Sequence, residues 1–204
     1  MGRPRTFDET TALRTMREHF WSSGFHGTST YDLMDATGLG KGSIYKAFGN
    51  KMNLYVQIFT DYCTEIVSAA RAELTPPADV VDASASPLHR IERYMLSLAH
   101  TFATSPERRG CFMSKGTADL AATEEAVAAV ARSAFADIAG ALSQAIRDAQ
   151  RAGEIAAQAD PDALGWVLFG VLRGINAFAV AGMDETTLNT TVHATLDLLP
   201  RPAA

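Results

Sequence analysis

Between Ala163 and Met183 the chain runs for 21 residues with only two strongly polar side chains, Arg173 and Asn176. A segment of this length and character reads as a helix, and a helix that is apolar on every side must be covered on every side. It is long enough to span a bilayer, and Gly170-x-x-x-Gly174 has the spacing of paired membrane helices. An arginine at its midpoint, no second span and a net charge of -5 argue instead for a soluble protein. The remaining solution covers one face with the chain's own domain and the other with a second copy of the chain. Small residues at Gly165, Gly170, Gly174 and Ala181 would let neighbouring backbones come close. The last helix, Asp184 to Leu199, presents Leu188, Val192, Thr195, Leu196 and Leu199 before Pro200 ends it. Leu168, Val171, Ile175, Leu188, Val192 and Leu196 are therefore the expected dimer contacts.

The rest of the sequence is helical by the same periodicity test, so the fold class is all-α with about nine helices. A first helix from Thr6 or Asp8 to about Ser23 turns Leu13, Met16 and Phe20 inward, and Gly24 ends it. Met52 to about Leu74 repeats apolar residues at Tyr55, Ile58, Phe59, Tyr62, Ile66 and Ala70, and Thr75-Pro76-Pro77 breaks it. Ser86-Pro87 restarts a helix with serine as cap and proline in the first turn, running to about Thr104. A short helix is expected over Thr117–Ala121, an alanine-rich one over Thr123–Ala152, and Asp160-Pro161 opens the apolar helix described above.

The stretch from Ser29 to Lys51 carries the most chemistry. Ser29 and Asp32 have the spacing of a capping box. Thr30, Leu33, Met34 and Thr37 then mark one helical face, and Gly38 stops the helix. A second short helix from Lys41 to about Phe48 turns Ile44 and Phe48 inward and leaves Lys41, Ser43, Tyr45 and Lys46 outside. Two short helices at a glycine-containing turn, with donors on the outer face of the second, have the shape to enter a DNA major groove. Spacing alone also fits an ordinary helical corner with a solvated outer face.

The run Thr28 to Lys51, and above all Lys41-Gly42-Ser43-Ile44-Tyr45-Lys46-Ala47-Phe48, resembles the DNA-binding domain of TetR-family transcriptional regulators. One departure is Ala47, where many members carry histidine. The resemblance implies a helix-turn-helix head over residues 1–51 and a ligand-binding, dimerising body over residues 52–204, the last two helices forming a four-helix bundle with a second copy. The charge distribution agrees. Residues 1–51 hold seven Lys/Arg against five Asp/Glu, a balance of +2 that leaves -7 for the remainder. An acidic body behind a mildly basic head favours one docking orientation on DNA.

Tyr45, Lys46 and Ser43 are the candidates for the groove. Ser29, Thr30, Lys41, Gly42 and Lys51 are candidates for phosphate, and Arg3 and Arg5 form a basic arm of the kind that reaches a minor groove. Candidate pocket residues are Phe59, Cys63, Tyr94, Leu98, Cys111, Met113, Phe135, Trp166, Phe169 and Asn176, several of which could equally be plain core. The Gly110-Cys111 pair resembles a branch of the family in which the cysteine borders the effector pocket and in some members senses oxidants or electrophiles. A lone cysteine as a small buried apolar residue remains open beside that reading.

His89 and His100 lie on one helical face but about 16 Å apart along it, too far for one metal. No metal, no cofactor and no catalytic constellation is read from the sequence. Met1 to Arg5 is polar and no apolar run precedes Leu13, so no secretory signal is read and a reducing cytoplasm is the expected setting. The expectation is a homodimeric repressor released from an inverted-repeat DNA operator by a small apolar or electrophilic effector. The alternative is a DNA-binding regulator whose body serves only dimerisation or protein partners.

Overall fold

The computed structural model describes residues 8–76 and 86–202, and Arg3 and Arg5 lie outside the described residues. Within them are nine α-helices: α1 (Glu9–Gly27), α2 (Thr30–Thr37), α3 (Lys41–Phe48), α4 (Lys51–Leu74), α5 (Pro87–Ala103), α6 (Phe112–Leu120), α7 (Glu125–Arg151), α8 (Pro161–Ala181) and α9 (Glu185–Asp197). A single 3-10 turn, Pro106–Arg108, lies between α5 and α6. The all-α expectation holds.

Helix starts follow cap chemistry closely. Asp8, Ser29, Asn50, Ser86, Asp160 and Asp184 each accept a backbone N–H of the first turn with the side-chain oxygen. Gly38 stops α2 in the left-handed region at φ 68°, a conformation open to glycine without a Cβ clash. The chain bends at Gly24, φ 74°, which lets Phe25 fold back toward the head. One boundary differs from expectation: α6 begins at Phe112, five residues before Thr117, because Phe112 and Met113 are buried and bring its first turn into the core.

Helices α1, α2 and α3 enclose a small core of Met16, Phe20, Leu33, Ile44 and Phe48, all buried. Helix α4 belongs to both halves. Its first turns pack Leu54 and Tyr55 under the head, and the remainder packs against α7, α5 and α6. Helices α7 and α8 form the most extensive pair in the body. Gly165 explains how close they run: a Cβ there would fall 2.2 Å from Ser143 Oγ and 2.7 Å from the Ala139 carbonyl. Both α7 and α8 are long and apolar enough to cross a membrane, so α8 is not unique in this respect, yet half of the α7 span is buried inside the bundle.

The packing corrects the expected dimer contacts. Leu168, Ile175, Leu188, Val192 and Leu196 are buried in the chain's own core, so they offer no surface to a second copy. Val171 is half-buried. Helical phase is the reason: Leu168, Leu172, Ile175 and Ala179 form the inward stripe of α8, leaving Trp166, Val167, Gly170, Ala177 and Phe178 on the outward one. Trp166 and Val167 are 51% and 54% exposed, and Leu198, just past α9, is 85% exposed.

Candidate functional site

The outer face of α3 is assembled largely as its spacing predicts. Lys41, Gly42, Ser43 and Lys46 are exposed, while Ile44 and Phe48 anchor the opposite side. Tyr45 is half-buried, its hydroxyl sharing a 2.9 Å hydrogen bond with Thr30 Oγ1 of α2, and Lys41 Nζ lies 5.6 Å from its ring centre. These contacts fix the angle of α3 to α2 and hold the tyrosine upright.

Ser29 is engaged in the capping box. The Asp32 N–H donates to Ser29 Oγ at 3.2 Å and the Ser29 N–H to Asp32 Oδ2 at 2.7 Å. Hydrogen bonds from Ser29, its backbone N–H first, hold the Asp32 carboxyl below its ordinary range. Lys51 is a clamp. Its ammonium donates to the Phe25 carbonyl at 2.9 Å and the Thr28 carbonyl at 2.8 Å, over the Phe25 ring at 4.2 Å. That leaves one of its three N–H groups for any phosphate.

In the body, a cavity of about 200 Å³ lies among α4, α5, α6, α7 and α8. Of the residues expected to line a pocket, Tyr94, Leu98, Cys111, Met113, Phe169 and Asn176 do so. Four do not. Phe59 is fully buried in an aromatic seam with Tyr55 and Phe112, Cys63 faces α7 beside Val67 and Ala134, Phe135 sits behind Phe169 at 5.2 Å, and Trp166 points outward. Sequence reading missed Tyr62, Ser114 and Arg173 as lining residues. Arg173 had left a signal, as one of two polar residues in an apolar helix.

The lining is mostly apolar, and some of its polar groups meet at the end formed by Tyr62, Cys111 and Asn176. Tyr62 Oη and Cys111 Sγ lie 3.5 Å apart. Burial raises the Tyr62 and Tyr94 phenols, so both keep their protons. Burial also pushes the Cys63 thiol up to about 12. Arg173 Nη1 donates to Ser114 Oγ, and its guanidinium carbon lies 5.0 Å from the Phe135 ring centre.

The α5–α6 loop connects this end of the cavity to the head. Asn176 Oδ1 accepts from the Cys111 N–H at 2.7 Å, and the Gly110 carbonyl accepts from Trp21 Nε1 of α1 at 3.2 Å. Arg109 Nη1 donates to Glu18 Oε2 at 2.7 Å, and the Arg109 guanidinium carbon lies 4.9 Å from the Trp21 ring centre. Glu107 and Arg108 hold φ of 56° and 54°, an uncommon conformation for residues with a Cβ. Seams of rings, Phe20–Tyr55 at 5.1 Å and Trp21–Tyr62 at 5.3 Å, tie α1 to α4.

A three-helix head with a donor-bearing third helix, continuous with a helical body that encloses a cavity, defines a helix-turn-helix DNA-binding regulator. The profile described as "Bacterial regulatory proteins, tetR family" matches residues 12–58, and "Tetracyclin repressor-like, C-terminal domain" matches residues 87–195. The chain belongs to the TetR family of transcriptional regulators.

Among curated relatives, HTH-type transcriptional repressor ComR of Escherichia coli (strain K12) is 27% identical over 199 residues, covering 98% of this chain and 92% of that protein. Transcriptional regulator AcuR of Cereibacter sphaeroides is 27% identical over 168 residues, 80% of this chain and 74% of its own length. Among solved structures, a cysteine mutant of the TetR-family regulator CifR complexed with 26-bp double-strand operator DNA superposes with a TM-score of 0.82 at 26% identity, covering 98% of this chain and 100% of that one. The reduced form of NemR from Escherichia coli shares the fold, with a TM-score of 0.82 at 18% identity over 96% and 98% of the two chains. The chain is thus a DNA-binding transcriptional regulator and not an enzyme.

Proposed function

We propose that the chain is a homodimeric bacterial repressor, working in the cytoplasm, that leaves an inverted-repeat operator when a small molecule fills the cavity in its body. Residues 1–51 serve as the DNA-binding head and residues 52–204 as the effector-binding and dimerising body. Paired heads would place two α3 helices in successive major grooves, about 34–36 Å apart. Tyr45, Lys46 and Ser43 face the groove; Thr30, Lys41 and Gly42 meet phosphates, which set register without reading sequence.

The observation that carries the reading is the α5–α6 loop, which lines the cavity with Cys111 and bonds the first head helix through Gly110 and Arg109. A ligand that repositions Cys111 or Asn176 therefore acts on α1. To weaken operator binding a hundredfold it must favour the released state by about 2.7 kcal/mol. The outward stripe of α8, with Leu198 just past α9, supplies the surface for the second copy.

Replacing Tyr45 and Lys46 by alanine tests the head. Operator binding, measured by fluorescence anisotropy on fragments selected from the source genome, should fall at least a hundredfold while helicity and dimer mass persist. Wild-type affinity in the double variant would remove α3 from the interface.

A further inference from the structure

Arg173 is the one cationic side chain on the cavity lining, and an apolar effector leaves it unexplained. It lies mid-helix on α8, half-buried, with a hydrogen bond to the Ser114 hydroxyl and a ring contact with Phe135, both uncharged. Arg17, Arg71, Arg90, Arg109, Arg132, Arg147 and Arg151 each pair with a carboxylate, whereas no carboxylate among the described residues comes within 4.0 Å of Arg173. Burial lowers its pKa, yet a guanidinium keeps its charge in a protein. A charge partly withdrawn from water without a counter-charge is costly and favours a partner, although Arg173 and Ser114 also border a wider cleft beside Lys115 and Asp119.

Several other polar groups on the same lining can donate. Ser114, Tyr62 and Tyr94 carry hydroxyls into the same cavity, and Asn176 has its oxygen occupied by the Cys111 N–H, leaving its amino group free to donate. Glu73 is the one acidic side chain on the lining, and it is not within ion-pair distance of Arg173. Leu98, Met113, Phe169 and Leu172 make the rest of the wall apolar.

We propose that the cavity binds a small organic monoanion: a carboxylate, seated on Arg173 and Ser114, carried by a short apolar body that lies against Leu98, Met113 and Phe169. Arginine meets a carboxylate with two parallel N–H donors, a geometry that a neutral amide cannot match. At about 200 Å³ the site is smaller than the roughly 300–1,000 Å³ of drug-sized pockets, so the body is limited to a short chain or a single ring. This assignment rests on the effector reading above and narrows it to one chemical class.

The test is a melting and operator-release comparison on the full-length protein with hexanoate and benzoate, their amides, and hexylamine, all at equal millimolar concentration. The carboxylates should raise the melting temperature and release operator DNA, and the amides and amine should do neither. Arg173→Gln should weaken carboxylate binding at least tenfold, with Arg173→Lys intermediate. Amides equal to carboxylates, preference for the amine, or no response to any probe would each overturn the anion site. Carboxylates that stabilise the protein without releasing operator would keep the site and overturn the effector reading.

Discussion

Gly170 sits in the middle of α8 on the outward stripe, and beyond its own turns of helix backbone no atom of the chain lies within 4 Å of where its Cβ would be. In a solitary chain, Gly170→Leu should therefore gain. Glycine in a helix interior is about 0.8 kcal/mol worse than a good helix former, and for a chain of this size that raises the melting temperature by about 2 °C. In a dimer closed through this stripe the outcome reverses. The new side chain appears on both sides of the two-fold axis, and each forced insertion into a packed surface costs about 1–3 kcal/mol. A combined cost of about 2 kcal/mol, the low end, loosens the dimer roughly thirtyfold. Sedimentation equilibrium from nanomolar to micromolar concentration, with melts at two concentrations, reads both quantities. If Gly170→Leu melts about 2 °C higher and the dimer is unchanged, the stripe faces water and the interface lies elsewhere.

Lys51→Met should destabilise the head by about 1–3 kcal/mol, because the Phe25 and Thr28 carbonyls lose charged donors; an unaltered chemical-denaturation midpoint would deny the clamp. Hydrogen bonds from Ser29 depress the Asp32 carboxyl, so its contribution is present above the ordinary carboxylate range and is lost as pH falls through the lowered value. Asp32→Ala should therefore remove part of the acid limb of a melting-temperature profile, and a superimposable acid limb would refute this. The Cys63 thiol, pushed up to about 12, should resist iodoacetamide at neutral pH until the protein is unfolded; labelling of Cys63 in the native protein, located by peptide mass, would contradict its burial.

The helices and the head were legible in the sequence because their signals are local. Ser29 with Asp32, Gly38, Ser86-Pro87 and Asp160-Pro161 act on their own backbones, and Ile44 and Phe48 declare an inward face by spacing alone. The expected contacts of α8 and α9 failed because a helix that is apolar all round carries no phase information. Leu168 and Trp166 are equally greasy, and only the position of α7 decides which one is inside. The cavity was half legible for a similar reason. Phe59 and Tyr62 share the period of α4, and the seam of rings from α1 and α6 claims the first while leaving the second on the lining.

The two hydrogen bonds at the α5–α6 loop belong to a single amide. The oxygen held by Trp21 and the N–H held by Asn176 are opposite edges of the flat plate between Gly110 and Cys111. Such a plate does not bend readily, so it moves as a unit. A guest in the cavity that drew on Asn176 would therefore pull through this plate on the edge held by the indole, and a change in the tryptophan's own fluorescence would report it.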